Sequence, residues 1–168
     1  MSKIYGVING PAPGAAATPK VATGATVKTL IQIATSASGA IRFVQHYITM
    51  DGFAAAQPVQ YELLGLDNLT TPPTVTAYAA ADIRKVNDPN AVASLVTLGT
   101  AASGYTASAE GTLVTPVTIE QQLVPPTSGI YIQYPQGREP EIKASGAARQ
   151  RVTAPATVNA VCGLMWEE

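Results

Sequence analysis

The feature that most constrains this chain is a period-two alternation of apolar and polar residues, broken at short intervals by Gly and Pro. In residues 41–50, IRFVQHYITM, extended backbone places Ile41, Phe43 and Tyr47 on one face and Arg42, Val44, His46 and Ile48 on the other. Both faces carry apolar groups, as in a strand covered on both sides or at a subunit contact. Asp51-Gly52 follows, a dipeptide suited to the φ > 0 positions of a turn, and Val59, Tyr61 and Leu63 resume the alternation. Residues 41–66 therefore read as a strand pair whose loop, about 51–58, exceeds the ideal two-residue hairpin.

Further strands are expected at 26–34, 74–78, 92–98, 112–119, 130–134 and 157–166. The last, TVNAVCGLMW, is the cleanest, with Val158, Ala160, Cys162, Leu164 and Trp166 on one face. Clusters such as Pro72-Pro73, Pro125-Pro126 with Gly129, and Pro135 with Gly137 and Pro140 separate these runs. Helical signals are weak. Residues 91–98 follow Asp88-Pro89-Asn90, which could cap a helix, but their Val, Thr and Ser content favours a strand or short turn. The pattern is that of an all-β sandwich or barrel of about eight or nine strands.

Two segments fall outside this pattern. Residues 9–25, NGPAPGAAATPKVATGA, are nearly all small or Pro and offer little apolar area against the entropy of ordering. They read either as a disordered tail or as an extended arm that orders against a neighbour. Residues 99–109, GTAASGYTASA, read as a long loop. The division expected is an extended Ala/Pro-rich arm over residues 1–25 and one β domain over residues 26–168.

Charge and chemistry-bearing residues are scarce. Charged residues make up 12% of the 168, about half the usual share, and 10 basic against 11 acidic groups leave a net charge of −1. A phosphate-neutralising nucleic-acid surface is therefore not expected. The single Cys excludes an internal disulfide, and with one His it leaves no multi-ligand zinc pattern. No apolar run is long enough to span a membrane, and residues 1–17 lack the apolar stretch of a secretory signal.

His46 stands beside Val44 and Ile48 with no Gly-x-Ser-x-Gly elbow to supply a nucleophile, so it reads as structural. Cys162, mid-strand among apolar neighbours, reads as a core residue. The carboxylates show no calcium-loop spacing, and no Gly-rich loop is built to cradle phosphate. No catalytic, cofactor or metal residue is assigned, and no enzymatic activity is expected.

The densest polar stretch runs from Tyr134 through Arg138 and Glu139 to Pro140, where two prolines restrict the backbone around a charged pair. Arg in a rigid loop suits bidentate contact with a partner's carboxylate; the alternative is a plain surface turn. Arg149 and Arg151 share a strand face and read as lying on a solvated or intersubunit surface. With Pro11, Pro13 and Pro19 of the arm, Tyr134, Arg138, Glu139, Arg149 and Arg151 are the candidate interface residues.

The order of several segments is similar to that of a known group. Residues 26–34 precede IRFVQHYITMDG and PVQYELL; IYIQYPQGREP (130–140), RVTAPATVN (151–159) and a closing Trp166-Glu-Glu168 follow. This series, covering residues 26–66 and 124–168, resembles small structural proteins from the head-gene regions of tailed bacteriophages and prophages: capsid decoration (cement) or minor capsid proteins. The resemblance implies a β-sandwich or β-tulip/jelly-roll-like core and no catalytic residues. It also implies a homotrimer bound to the major capsid protein at local symmetry axes, on the outer surface of the virion capsid, after synthesis in the host cytoplasm. An alternative is a receptor- or glycan-binding module of the tail or head fibre, with Tyr78, Tyr105 and Tyr131 stacking on sugars. A small esterase or glycosidase would need His46 or a carboxylate pair in a cleft.

Overall fold

A computed structural model describes residues 2–12, 14, 20–53 and 57–168. Among the described residues thirteen strands follow one another: β1 (Ile4–Ile8), β2 (Val21–Thr23), β3 (Lys28–Ala34), β4 (Ile41–Met50), β5 (Val59–Leu66), β6 (Thr74–Ala77), β7 (Arg84–Lys85), β8 (Gly104–Ala109), β9 (Val117–Val124), β10 (Gly129–Gln133), β11 (Glu141–Ile142), β12 (Ala147–Thr153) and β13 (Val158–Glu167). One turn of 3-10 helix, Ala80–Asp82, precedes β7. The fold is all-β, with two antiparallel sheets stacked as a sandwich.

The first sheet runs β10-β4-β13-β1-β7, with β11 also on β4 and β2 also on β13; the second runs β6-β8-β3-β12-β5-β9. Alternation explains the stacking. Along β13, Val158, Ala160, Cys162, Leu164 and Trp166 all point into the core. They meet Tyr5, Phe43 and Ile48 of the same sheet and Ile31, Tyr61 and Leu63 of the other in one apolar cluster. Burying such side chains supplies roughly 1.5–3 kcal/mol each.

β12 is covered on both faces. Its outer side meets Leu64 and Leu66 of β5 across the ladder, and Leu113 and Ala102 pack over the cluster formed by Ala34, Leu66 and Ala147. The connections around β8 thus lie over the outside of the second sheet.

Several expectations are corrected. β4 and β5 do not pair: β4 lies in the first sheet and β5 in the second. The connection between them is long enough to cross the ~10 Å between sheets. Its turn residues bond elsewhere, Asp51 N–H to the Asn159 carbonyl at 3.1 Å and Gly52 N–H to that of Pro126 at 2.6 Å.

Among residues 1–25, those described include two strands of the first sheet. β1 sits between β13 and β7 with Tyr5 and Val7 buried, and β2 pairs with the start of β13. Residues 99–109 contain β8 rather than a loop alone. Residues 92–98 form no strand; Val96 bridges Thr35 and packs into the core, and Leu98 bridges Ser103.

Candidate interaction surfaces

The loop from Tyr134 to Pro140 lies at one end of the sandwich, between β10 and β11. Arg138 N–H bonds to the Pro135 carbonyl at 2.9 Å, and Glu139 Oε2 accepts the Gly137 N–H at 2.7 Å, with Gly137 at φ +83°. The loop is therefore tightly folded, and the exposed Arg138 makes no ion pair among the described residues. Glu139 serves its own turn rather than Arg138. Tyr134 turns inward.

Arg149 is not a surface residue. It is 1% exposed, its Nε donates to Gln32 Oε1 at 3.0 Å, and its terminal nitrogens donate to the carbonyls of Glu110 (2.9 Å) and Thr112 (3.3 Å). Glu110 in turn accepts from the Thr29 N–H and hydroxyl. A residue buried this way ties the covering segment to the second sheet and presents nothing to a partner. Arg151, on the same face, is largely covered and pairs with Glu62 at 2.6 Å. Burial lowers the Arg149 pKa, with nearby Glu110 opposing the shift.

Of the arm residues, Pro11 is exposed in the turn that follows β1, where Ala12 N–H bonds to Asp82 Oδ1 at 2.6 Å. Pro13 and Pro19 lie outside the described residues.

The interior holds a polar chain that the alternation alone did not reveal. His46, 0% exposed, has Nδ1 at 2.7 Å from the Tyr61 hydroxyl and Nε2 at 3.1 Å from that of Tyr134. Gln150 Nε2 donates to the Tyr61 oxygen at 3.1 Å and to the Tyr47 carbonyl at 2.9 Å. Because Tyr61 accepts from Gln150, its own proton is free to go to Nδ1, which leaves Nε2–H to donate to Tyr134. Desolvation pushes the His46 pKa down to about 4 against a weaker opposing pull from Glu120, so the ring is neutral at pH 7. Tyr134, shielded beside it, is pushed up to about 12. The signal for this chain was spacing between distant strands, which a local pattern does not carry.

Cys162 is fully buried and its thiol is pushed well up. The tyrosines weighed for sugar stacking do not form one exposed face. Tyr78 is buried with its hydroxyl on the Ile8 carbonyl at 2.6 Å, Tyr105 packs against it, and Tyr131 alone is well exposed, at 61%. Among the described residues no three His, Cys, Asp or Glu side chains gather as metal ligands, and no helix is long and apolar enough to cross a membrane.

The two ends of the sandwich differ in charge. The end holding the 134–140 loop also carries the ion pairs Arg42–Glu141, Lys143–Asp67 and Lys3–Asp88. The other end is built from residues 24–27, 51–53, 57–58, 125–128 and 154–157, among which Asp51 is the only charged residue. Asp51 is paired with Lys20. No family model, no curated protein and no solved structure matches this chain.

Proposed function

We propose that the chain is a structural virion protein that binds the outer surface of an assembled phage capsid, contacts the major capsid protein as a homo-oligomer (a trimer by the resemblance), and stabilises the shell. The observation that carries this reading is the internal use of the reactive side chains. Both His46 nitrogens bond to tyrosine hydroxyls, Cys162 is sealed in the core, and Arg149 is consumed in bracing a loop. What faces outward is a low-charge surface suited to contact rather than chemistry.

The resemblance supports the same reading through its location. Its segments include β3, β4, β5, β12 and β13, the middle strands of both sheets. A protein that adds contacts only in the assembled shell stabilises that state by mass action, and symmetry repeats a modest contact many times.

Quantitative mass spectrometry of purified virions tests the proposal. A fixed ratio to the major capsid protein, amounting to hundreds of copies per particle, is expected. A handful of copies would move the protein to the tail or fibre and replace shell stabilisation with receptor or glycan binding.

A further inference from the structure

We propose that the flank between β7 and residues 86–98 holds a binding site for a small amphiphilic anion, an apolar body ending in one carboxylate. A depression of about 800 Å3 opens there, a size common among ligand sites. Ile83, Pro89, Ala93, Val96 and Leu98 give it an apolar lining, with Tyr5 beside them. Val86, Val92, Leu95 and Leu98 are four of the eight large apolar side chains exposed among the described residues, so apolar exposure is concentrated on this segment. An apolar body is drawn out of water at such a place.

The walls are held in position. Tyr5 donates its hydroxyl proton to the Val92 carbonyl at 2.9 Å, Leu95 N–H bonds to Glu168 Oε2 at 2.9 Å, and Ile4 N–H bonds to Asn87 Oδ1 at 2.8 Å. A depression braced at three points loses little further freedom when it is filled.

Charge sets the other half of the ligand. Arg84 and Lys85, the two residues of β7, both border the depression. Neither forms an ion pair among the described residues, which include every Asp and Glu of the chain. Consecutive residues of a strand point to opposite sides, so the two cations bracket the β7 edge and an anion set there lies within reach of both long side chains. Arg84 Nε is enclosed and has no acceptor among the described residues, a state that native structures rarely leave without a ligand or water.

The carboxylates of this flank are already committed. Asp82 accepts the N–H groups of Ala12 and Ala79, and Asp88 takes Lys3 and the Asn90 N–H. Glu168 accepts from the Ser94 hydroxyl, the Leu95 N–H and the Trp166 indole. Lys85 acts on Asp88 through space without bonding to it. An incoming carboxylate therefore supplies acceptors that the chain does not, through charge-assisted bonds. A cationic ligand would meet two like charges, and a neutral one would leave both unpaired.

Decanoate, kept below its micelle concentration, is the probe. It is titrated into the full chain and followed by calorimetry and by fluorescence of Trp166, the only tryptophan, whose ring stacks on Tyr5 at 6.2 Å. One equivalent should bind saturably, with 1-decanol and decyltrimethylammonium about tenfold weaker or worse. Arg84→Gln with Lys85→Gln should weaken decanoate about tenfold and leave decanol unchanged. Ala93→Phe, at an exposed lining position, fills the depression and should weaken decanoate and decanol alike. If circular dichroism shows the double variant unfolded, Lys85→Gln alone, at an exposed position, should still weaken decanoate severalfold. No detectable binding, decanol binding as tightly as decanoate, unchanged affinity in the folded variants, or uptake of many equivalents without saturation would each overturn the site. No shell takes part in this titration, so its failure removes the site and leaves the virion proposal standing.

Discussion

His46 is held neutral between two tyrosine hydroxyls, and that makes folding sensitive to acid. The unfolded imidazole titrates near 6.5 and the folded one at about 4, so the unfolded state takes up the proton first. Stability from this residue is therefore complete above about pH 6.5 and is lost as pH falls towards 4. The ring lies between Tyr61 and Tyr134, and Glu120 is the carboxylate whose charge acts on it. Between pH 6.5 and 5 most carboxylates stay ionised, so the slope there isolates the histidine. Urea unfolding should show a loss of about 2 kcal/mol across that window, from roughly 1.4 kcal/mol per pH unit. His46→Gln should start less stable and show almost no slope; an equal slope in that variant would assign the acid sensitivity elsewhere.

Arg149 poses a different question, because its charge is buried without a carboxylate bonded to it. Arg149→Met would leave Gln32 Oε1 and two carbonyls without donors, at a cost of about 3 kcal/mol or more. A global loss alone would not prove the bracing role. Hydrogen exchange should also accelerate in residues 110–113 more than in β13, and uniform acceleration would count against it.

At the scale of elements, β13 was readable because its buried residues keep period two almost throughout, whereas β4 shifts step at Val44, so that Phe43 and Ile48, expected on opposite faces, both reach the core. Pairing was not readable. Asp51-Gly52 looks like a hairpin turn, yet its amides bond to the β13 and β9–β10 sides and β5 crosses to the other sheet. In β12 the two arginines of AARQRVT argue for an outward strand face, and only the three-dimensional structure shows that the covering segment accepts hydrogen bonds from Arg149. β1 was absorbed into the arm: five residues are too few for periodicity to stand out beside the Ala/Pro run that follows. Of the candidate interface residues, Arg138 and Pro11 do face outward, and Arg149 does not, since local pattern cannot tell solvent from a covering loop.

Two glycines separate backbone from side-chain crowding within these strands. A Cβ on Gly104 of β8 would meet the Thr76 carbonyl oxygen of β6 at 2.3 Å, a backbone atom that cannot yield without parting the two strands. A Cβ on Gly163 of β13 would meet the Tyr47 ring at 2.4 Å, and that half-buried ring can swing towards solvent. Gly104→Ala should therefore cost about 2–3 kcal/mol in thermal or urea unfolding, and Gly163→Ala clearly less. Equal costs would mean that the Tyr47 ring is fixed as firmly as the β6 backbone.

For the whole molecule, the sandwich is stabilised from within, and under the proposed function its surface serves assembly. A chain that binds the closed shell and not its free subunits raises shell stability by RT ln(1 + [L]/Kd), about 2.7 kcal/mol at a concentration one hundred times Kd. The gain repeats at every occupied position, so heating should distinguish decorated from bare particles even when each contact is modest. Differential scanning calorimetry of shells with and without added protein should show the shell transition shifting upward with concentration until sites fill. The chain's own unfolding transition, measured alone, should not move the shell transition. Raising salt from 50 to 500 mM separates two kinds of contact: a shift that persists reports apolar docking, whereas docking through Arg138 would weaken with screening. A shift that disappears at high salt would place the interface at the charged end.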